Sequence, residues 1–225
     1  MRLTLTLLTL LYSLTVSAQK VILKFCPPAF IDVVGFPTVQ AGVEATLAGR
    51  WSWYNEVGIK YFEPRRPDTS FVGSGGFKAK TEWRYYLKHK RGSHRPNKSM
   101  DGIYLGANAF YTYNSFNTQI TYYAGNNYMN SRTDCFGVRK TVGGANLVFG
   151  WQKSFSRRVF VDLYAGLGIR LRYVRDTHKE YNPDQDGLAK SIDLNIRSIQ
   201  DEVDSKNGFS DAPNLTLGIR LCYRW

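Results

Sequence analysis

Hydrophobic and polar positions alternate along most of this chain. The alternation is clearest in the last segment, whose apolar positions are Leu215, Leu217, Ile219, Leu221 and Tyr223. Seven earlier segments repeat it, and they begin near Lys20, Val39, Trp51, Lys78, Ile103, Gly143 and Val159. A period of two residues is typical of β-strands with one apolar and one polar face. The pattern therefore predicts an all-β protein of eight strands.

The lengths of the connections favour a closed barrel. The connections near Gly49 and at 153–158 are short, whereas those at about 63–76, 115–135 and 176–213 are long. An even number of strands with short turns on one side and long loops on the other is typical of antiparallel barrels in membranes. We therefore predict an eight-stranded antiparallel transmembrane β-barrel over residues 19–225, with long extracellular loops. The longest of these outer loops would be 176–213.

The first eighteen residues predict a signal peptide. Arg2 gives a positive start, residues 3–16 are mostly apolar, and small side chains precede a cleavage site expected after Ala18. Export and amphipathic strands together place the chain in the outer membrane of a Gram-negative bacterium as an integral protein. A secreted soluble barrel is the alternative.

Charged residues lie on one face of the predicted strands, and the other face carries almost none. We expect the apolar face to meet lipid and the charged face to line the bore. A bore of eight strands has room only for side chains, and charges buried there need partners. We therefore predict a lumen charge network of six side chains: Glu44, Glu56, Glu82, Arg84, Arg170 and Arg220.

The expected strand register explains why such a network would form. A turn at Gly49 and Arg50 sets Glu44 opposite Glu56. Near-symmetric pairing of the last two strands sets Arg170 opposite Arg220. Like charges that face each other on one wall repel. Attraction between the acids of one wall and the arginines of the other would offset that repulsion.

Composition narrows the choice of partners. The 225 residues include 15 Tyr, 13 Phe, 5 Trp and 20 Gly, which suits aromatic-rich β-structure. The net charge of +12 raises the question of nucleic acid, but no nucleic-acid-binding motif accompanies the basic residues, so we expect no such partner.

Cys26, Cys135 and Cys222 lack metal-binding spacing. Free thiols are favoured for them, with a Cys26 to Cys135 bridge left open.

The long acidic loop contains one candidate metal site. Asn182, Asp184, Asp186 and Asp193 fall at positions one, three, five and twelve of an EF-hand-like calcium loop, with Gly187 at position six. Position twelve is Asp rather than the usual bidentate Glu, so a solvated acidic loop is the alternative. Apart from calcium, we expect no cofactor.

Catalysis is not expected. Barrel enzymes that modify lipids need a His beside a Ser or an acid. His178 has Asp176 and Glu180 nearby, whereas His89 and His94 fall in a turn on the opposite side. A single His in an acidic loop is usually solvated, so we predict that the protein is not an enzyme.

The sequence resembles a known class of membrane proteins. Its signal peptide, its eight amphipathic strands and its closing segment 217–225 are similar to those of small OmpA-like or OmpX-like outer-membrane barrels. The segments 51–53 and 82–86, Trp-Ser-Trp and Glu-Trp-Arg-Tyr-Tyr, resemble an uncharacterised family of such barrels from Bacteroidota. The resemblance implies recognition by the barrel-assembly machinery through a terminal signal: Leu217, Ile219, Leu221, Tyr223 and Trp225.

The resemblance implies a location more than an activity. We expect a non-catalytic barrel with a charge-filled lumen, held among outer-membrane lipids. Its outer loops would serve a structural role or bind a surface ligand or another envelope protein. The alternatives are a small solute pore and a lipid-modifying barrel enzyme.

Overall fold

A computed structural model describes residues 21–26, 38–47, 49–60, 72–87, 100–125, 131–180, 182, 185–188 and 207–224. These residues contain nine β-strands: β1 (Val21–Phe25), β2 (Thr38–Thr46), β3 (Trp51–Lys60), β4 (Val72–Tyr86), β5 (Gly102–Tyr123), β6 (Ser131–Ser154), β7 (Val159–Thr177), β8 (Gly187–Leu188) and β9 (Gly208–Arg224). Within the part of the chain that is described, no helix has both the length and the apolar character needed to cross a membrane.

Eight of these strands form one antiparallel sheet that closes into a ring. Each strand from β1 to β6 pairs with the one that follows it, β7 pairs with β9, and β9 pairs with β1. The two-residue strand β8 belongs to the connection between β7 and β9 and pairs with the far end of β5, where Leu188 lies opposite Tyr122. The predicted all-β fold of eight antiparallel strands is confirmed, and the sheet closes on itself.

The ring has two unlike ends. Short connections at 47–50 and 155–158 lie at one end, together with the start of β1 and the finish of β9; we call this the turn end. Gly49 has φ of 57° in the first of these turns, which suits glycine because it has no side chain. We call the opposite end the loop end. There the hairpin of β5 and β6 extends beyond β4, which pairs with β5 only as far as Asn117.

Three predicted loops are shorter in the structure, and the one predicted at about 63–76 ends where β4 begins at Val72. Most of 115–135 is strand, since β5 continues to Tyr123 and β6 begins at Ser131. The connection predicted at 176–213 covers 178–207, with β8 inside it. The strands continue because their inward positions bury a small apolar cluster near the loop end: Phe116, Phe136, Val138 and Val174.

Several predictions fall outside the described residues. They are the signal peptide at 1–18 with its cleavage after Ala18, the turn that contains His89 and His94, and Trp225. The first predicted strand, at about 20–31, is described only as Val21–Phe25 and the following Cys26.

The outward face of the ring carries a wide apolar band. Leu147 keeps 74% of its surface exposed and Leu217 keeps 69%, although both are large aliphatic side chains. Other exposed members of the band are Val43, Val57, Ile59, Leu105, Phe149, Leu163, Leu167, Ile169, Leu215, Ile219 and Leu221. The inward face holds the buried charges, so the sheet is apolar outside and polar inside over this height.

Aromatic side chains mark both limits of the band. Trp51 packs against Tyr85 near the turn end, with ring centroids 4.9 Å apart. Tyr173 and Phe209, 4.7 Å apart, lie toward the loop end. Beyond these loop-end aromatics the outward face of the sheet becomes polar and the inward face becomes apolar. The exposed outward positions become Thr121, Thr133, Arg139 and Arg175, while the inward positions hold the apolar cluster of the loop end.

Candidate functional site

The bore contains a buried group of charged side chains, which we call the central charge cluster. Four acids and four bases form it: Glu44, Glu56, Glu82, Asp162, Lys24, Lys80, Arg84 and Arg220. The most accessible member, Lys80, is only 8% exposed. Because positive and negative charges are equal in number, the cluster is formally neutral. This balance is what allows ionised groups to remain in an interior that holds little water.

Asp162 of β7 accepts hydrogen bonds from residues of four other strands. Its Oδ2 accepts hydrogen bonds from Lys24 Nζ at 2.7 Å, Arg84 Nη1 at 3.0 Å and Arg220 Nη1 at 3.2 Å. Its Oδ1 accepts a hydrogen bond from the Tyr104 hydroxyl at 2.8 Å. These four donors lie on β1, β4, β9 and β5, so one carboxylate ties β7 to four other strands.

The three glutamates complete the network on the opposite wall. Glu44 Oε2 lies 2.6 Å from Lys24 Nζ and 3.2 Å from Arg84 Nη1. Glu82 Oε1 lies 2.7 Å from Arg84 Nε. Glu56 Oε2 lies 3.3 Å from Arg220 Nε, and its Oε1 lies 3.5 Å from Lys80 Nζ. Each arginine therefore meets carboxylates from more than one strand.

Tyrosine rings alternate with the two guanidinium groups across the bore. The Arg84 guanidinium carbon lies 4.4 Å from the ring centroid of Tyr104 and 4.6 Å from that of Tyr54. The Arg220 carbon lies 4.6 Å from Tyr54 and 3.6 Å from Tyr164. A cation that lies over the face of an aromatic ring is attracted to the ring, and the attraction is stronger where water is excluded. The stack fills the cross-section of the bore.

Glycines opposite these tyrosines make room for the stack. Gly150 pairs with Tyr104, and Gly218 pairs with Tyr164. A Cβ atom at Gly150 would lie 2.1 Å from the Tyr104 ring, and one at Gly218 would lie 2.4 Å from the Tyr164 ring. No side-chain carbon fits at such distances, so these inward positions need glycine for the tyrosines to lean across them.

An apolar layer closes the bore between the central charge cluster and the turn end. Its buried members are Ile22, Tyr86, Met100, Tyr104, Val148, Phe160 and Cys222. Tyr86 and Tyr104 belong to both levels, because their hydroxyls reach Glu44 and Asp162. The bore is thus closed by two successive layers, one ionic and one apolar.

The structure brings together five of the six side chains predicted for the lumen network: Glu44, Glu56, Glu82, Arg84 and Arg220. Arg170 lies apart from them. It occupies an inward position nearer the loop end, is exposed, and pairs with Ala212. The expected pairing of Arg170 with Arg220 is wrong, because the partner of Arg220 is Asp162.

The expected register of the first hairpin is also wrong. Glu44 pairs with Tyr54 and Glu56 pairs with Gly42, because the turn is centred on Gly49 alone. This register separates the two glutamates along the strands and avoids a like-charge pair. A shift of two residues leaves each side chain on the same face, so the inward position of both glutamates is unaffected.

Sequence reasoning missed Lys24, Lys80, Asp162 and the three stacked tyrosines. The sequence does indicate a place for Asp162 in the bore, since it is the one acidic residue in the segment 159–173 and lies on the polar face of that segment. Lys24 shares the inward parity of its strand, but its partners lie 20 and 138 residues away in sequence. Such contacts depend on closure of the ring rather than on any local pattern.

The candidate calcium loop is described in part. Asp186 accepts hydrogen bonds from the backbone amides of Asn182 and Gly125, each at 2.9 Å, and these bonds lower the pKa of its carboxyl below the usual value. The residues Asp184 and Asp193 lie outside the described part. Among the described residues, no group of three or more His, Cys, Asp or Glu is placed to hold a metal ion. The observed role of Asp186 is to fasten the β7–β9 connection to the end of β5.

The remaining candidates lie apart from the central charge cluster. His178 follows β7 with φ of 61°, and the neighbouring Asp176 forms an ion pair with Lys179 at 3.2 Å. All three cysteines are free thiols; Cys26 and Cys222 are buried, and Cys135 is exposed.

These observations define a closed ring of antiparallel strands around a buried, neutral charge cluster. Residues 4–195 match the family described as "Protein of unknown function (DUF3575)", and the chain belongs to this family. Neither the curated proteins nor the solved structures contain a match to the chain.

Proposed function

We propose that this chain is a non-catalytic integral outer-membrane β-barrel whose bore is permanently closed and whose loop end faces the exterior. Inverted polarity is the observation that carries the proposal. Soluble monomers rarely expose continuous apolar surface, whereas a barrel in lipid needs an apolar belt and hides its charges inside. The band that includes Leu147 and Leu217 has this character, and the charges lie in the bore.

The limits of the band also support a membrane setting. Aromatic rings such as Trp51 and Tyr173 lie where headgroups would begin, which is the preferred depth of amphipathic rings. Past the loop-end aromatics, polar residues such as Arg139 and Arg175 take the outward positions. A strand pair that leaves lipid and enters water needs this change of surface.

Within this proposal the chain is assigned to the small OmpA-like or OmpX-like barrels, in a family similar to uncharacterised barrels of Bacteroidota. In this proposal residues 1–18 direct export, and the closing strand carries the signal for the barrel-assembly machinery. Leu217, Ile219, Leu221 and Tyr223 support that role, since all four are exposed on the outward face of β9. The loop end would provide the surface that meets a ligand or another envelope protein.

Membrane fractionation with heat-modifiable migration on a gel tests the location. We expect the chain in the outer-membrane fraction after a high-salt and carbonate wash. We also expect the unheated sample to migrate faster than the boiled one, because a closed barrel resists detergent until it is heated. A washed-off chain with the same migration before and after boiling would contradict the proposal and favour a secreted soluble barrel.

Conductance in a planar bilayer tests the closed bore. We expect no sustained current, because the central charge cluster and the apolar layer lie one behind the other across the bore. An open porin reconstituted in the same way serves as the positive control. Steady single-channel currents from this chain would exclude a closed bore and favour the solute-pore alternative.

A further inference from the structure

The loop-end half of the bore contains a cavity of about 540 Å³ above the central charge cluster. Lys80, a member of the central charge cluster, lies at its base together with Tyr164, whose ring contacts Arg220. Arg170 lines it farther toward the loop end and is exposed. The turn-end half of the bore is closed by two layers, so this cavity has no through passage along the bore. We call it the loop-end cup.

The loop-end cup is strongly basic. Five cationic side chains line it: Lys60, Lys78, Lys80, Lys140 and Arg170. No Asp or Glu is among the described residues that line it. Lys80 belongs to the balanced central charge cluster, where it lies 3.5 Å from Glu56, so the other four cations give the cup its excess of positive charge. A cleft lined by one sign of charge with low-dielectric walls concentrates ions of the opposite sign.

Side-chain amides form the second feature of the cup. Asn214 donates to Asn146 at 2.7 Å, and Asn146 donates to Asn108 at 2.9 Å. Among the described residues, this chain ends at Asn108 Nδ2, which has no hydrogen-bond partner. Neither Nδ2 nor Oδ1 of Asn114 has one there either. Asn108 and Asn114 are each only 4% exposed, and both line the cup.

Buried amides without partners are unusual, because each lost hydrogen bond to water goes uncompensated. An amide presents both donors and an acceptor, which matches the hydroxyl groups of a sugar. Phe110 and Tyr164 add ring surface to the same cavity. The cup thus combines cations, paired donor and acceptor groups, and aromatic faces.

We propose that the loop-end cup binds a small anionic sugar, one that carries a phosphate or a carboxylate. The basic side chains would hold the anionic group, and the unpartnered amides of Asn108 and Asn114 would bind hydroxyls. Because the bore is closed toward the turn end, the ligand would enter from the loop end, as a free solute rather than a lipid headgroup. The binding requires only the closed ring and its bore, and it does not depend on where the ring resides.

Calorimetric titration of the folded, detergent-solubilised chain with glucose 6-phosphate tests the inference. We expect saturable binding, with glucose and inorganic phosphate each at least about tenfold weaker, because each lacks one of the two recognised features. Affinity should fall when the salt concentration rises from about 0.05 M to about 0.5 M, because added ions screen the basic side chains.

Two double variants separate the cup from general surface charge. Lys78→Gln with Arg170→Gln removes two charges that line the cup, and we expect binding at least about tenfold weaker. Arg139→Gln with Arg175→Gln removes two charges that pair across β6 and β7 on the outward face, and binding should be unchanged. Asn114→Leu should weaken glucose 6-phosphate but leave inorganic phosphate unaffected. Circular dichroism checks that each variant is folded.

Three outcomes would overturn the inference. The first is no saturable binding of glucose 6-phosphate up to about 10 mM. The second is equal weakening by the two double variants, which would indicate nonspecific attraction to a basic protein. The third is equal affinity for glucose 6-phosphate and inorganic phosphate, which would leave the amides without a role. None of these outcomes bears on membrane location, which fractionation tests separately.

Discussion

Asp162→Asn is expected to destabilise the folded ring by about 3–5 kcal/mol, the range for removing one partner of a buried ion pair. The substitution keeps the shape of the side chain but removes the charge shared by Lys24, Arg84 and Arg220. The central charge cluster would then hold four bases against three acids. Urea unfolding in lipid vesicles, followed by tryptophan fluorescence, measures the change.

Glu180→Gln is the matched control for this substitution. Glu180 is exposed in the connection after β7, and its backbone amide donates a hydrogen bond to Asp134. The same loss of a carboxylate there should change stability by no more than about 0.5 kcal/mol. If Asp162→Asn were equally mild, the shared carboxylate would not hold the ring together.

A second variant separates charge balance from loss of a hydrogen bond. Adding Lys24→Gln to Asp162→Asn restores equal numbers of acids and bases in the central charge cluster. We expect the double variant to be more stable than Asp162→Asn alone, because a buried surplus charge is worse than a missing neutral pair. Lys24 also donates to Gln152 at 2.6 Å, so recovery would be partial.

The direction of side chains could be read from the sequence because strand parity is robust. Glu82, Arg84 and Arg220 face inward whatever the exact register, since any pairing that keeps the apolar face outward shifts by an even number of residues. The same reasoning explains why the apolar positions of β9 were placed correctly. Alternation therefore predicts which face a residue occupies.

Height along the bore could not be read from the same pattern. Arg170 has the inward parity that the sequence indicated, yet it lies in the loop-end cup instead of the central charge cluster. Its level is set by the register of β7 against β9, which places Asp162 opposite Arg220 and Arg170 opposite Ala212. The sequence did not predict the loop-end cup either, because its lining residues come from many strands.

The central charge cluster illustrates a further limit of sequence reasoning. The predicted network of three acids and three arginines has no net charge, so its charge balance does not indicate that any residue is missing. The actual balance includes Lys24, Lys80 and Asp162 and excludes Arg170. Charge matching inside a closed ring is a property of the whole cross-section, and strand order around the ring has to be known before it can be evaluated.

Leu217→Arg is expected to destabilise the ring by about 2–4 kcal/mol in lipid vesicles, the cost of a cation on the lipid face of a barrel near the bilayer centre. Leu217 lies on β9 about midway between Phe209 and Tyr223, and it is 69% exposed. Thr133→Arg is the matched control. Thr133 is exposed on the outward face of β6 beyond the loop-end aromatics, where water would solvate the added charge.

The comparison separates a lipid-facing surface from a merely exposed one. At a water-exposed position, exchanging a leucine for arginine relieves unfavourable hydration, so Leu217→Arg would be neutral or favourable in a soluble ring. In lipid the same exchange places a cation where nothing solvates it. Urea unfolding of both variants in the same vesicles therefore decides the setting of the apolar band, and equal stability of the two would remove the basis for a membrane location.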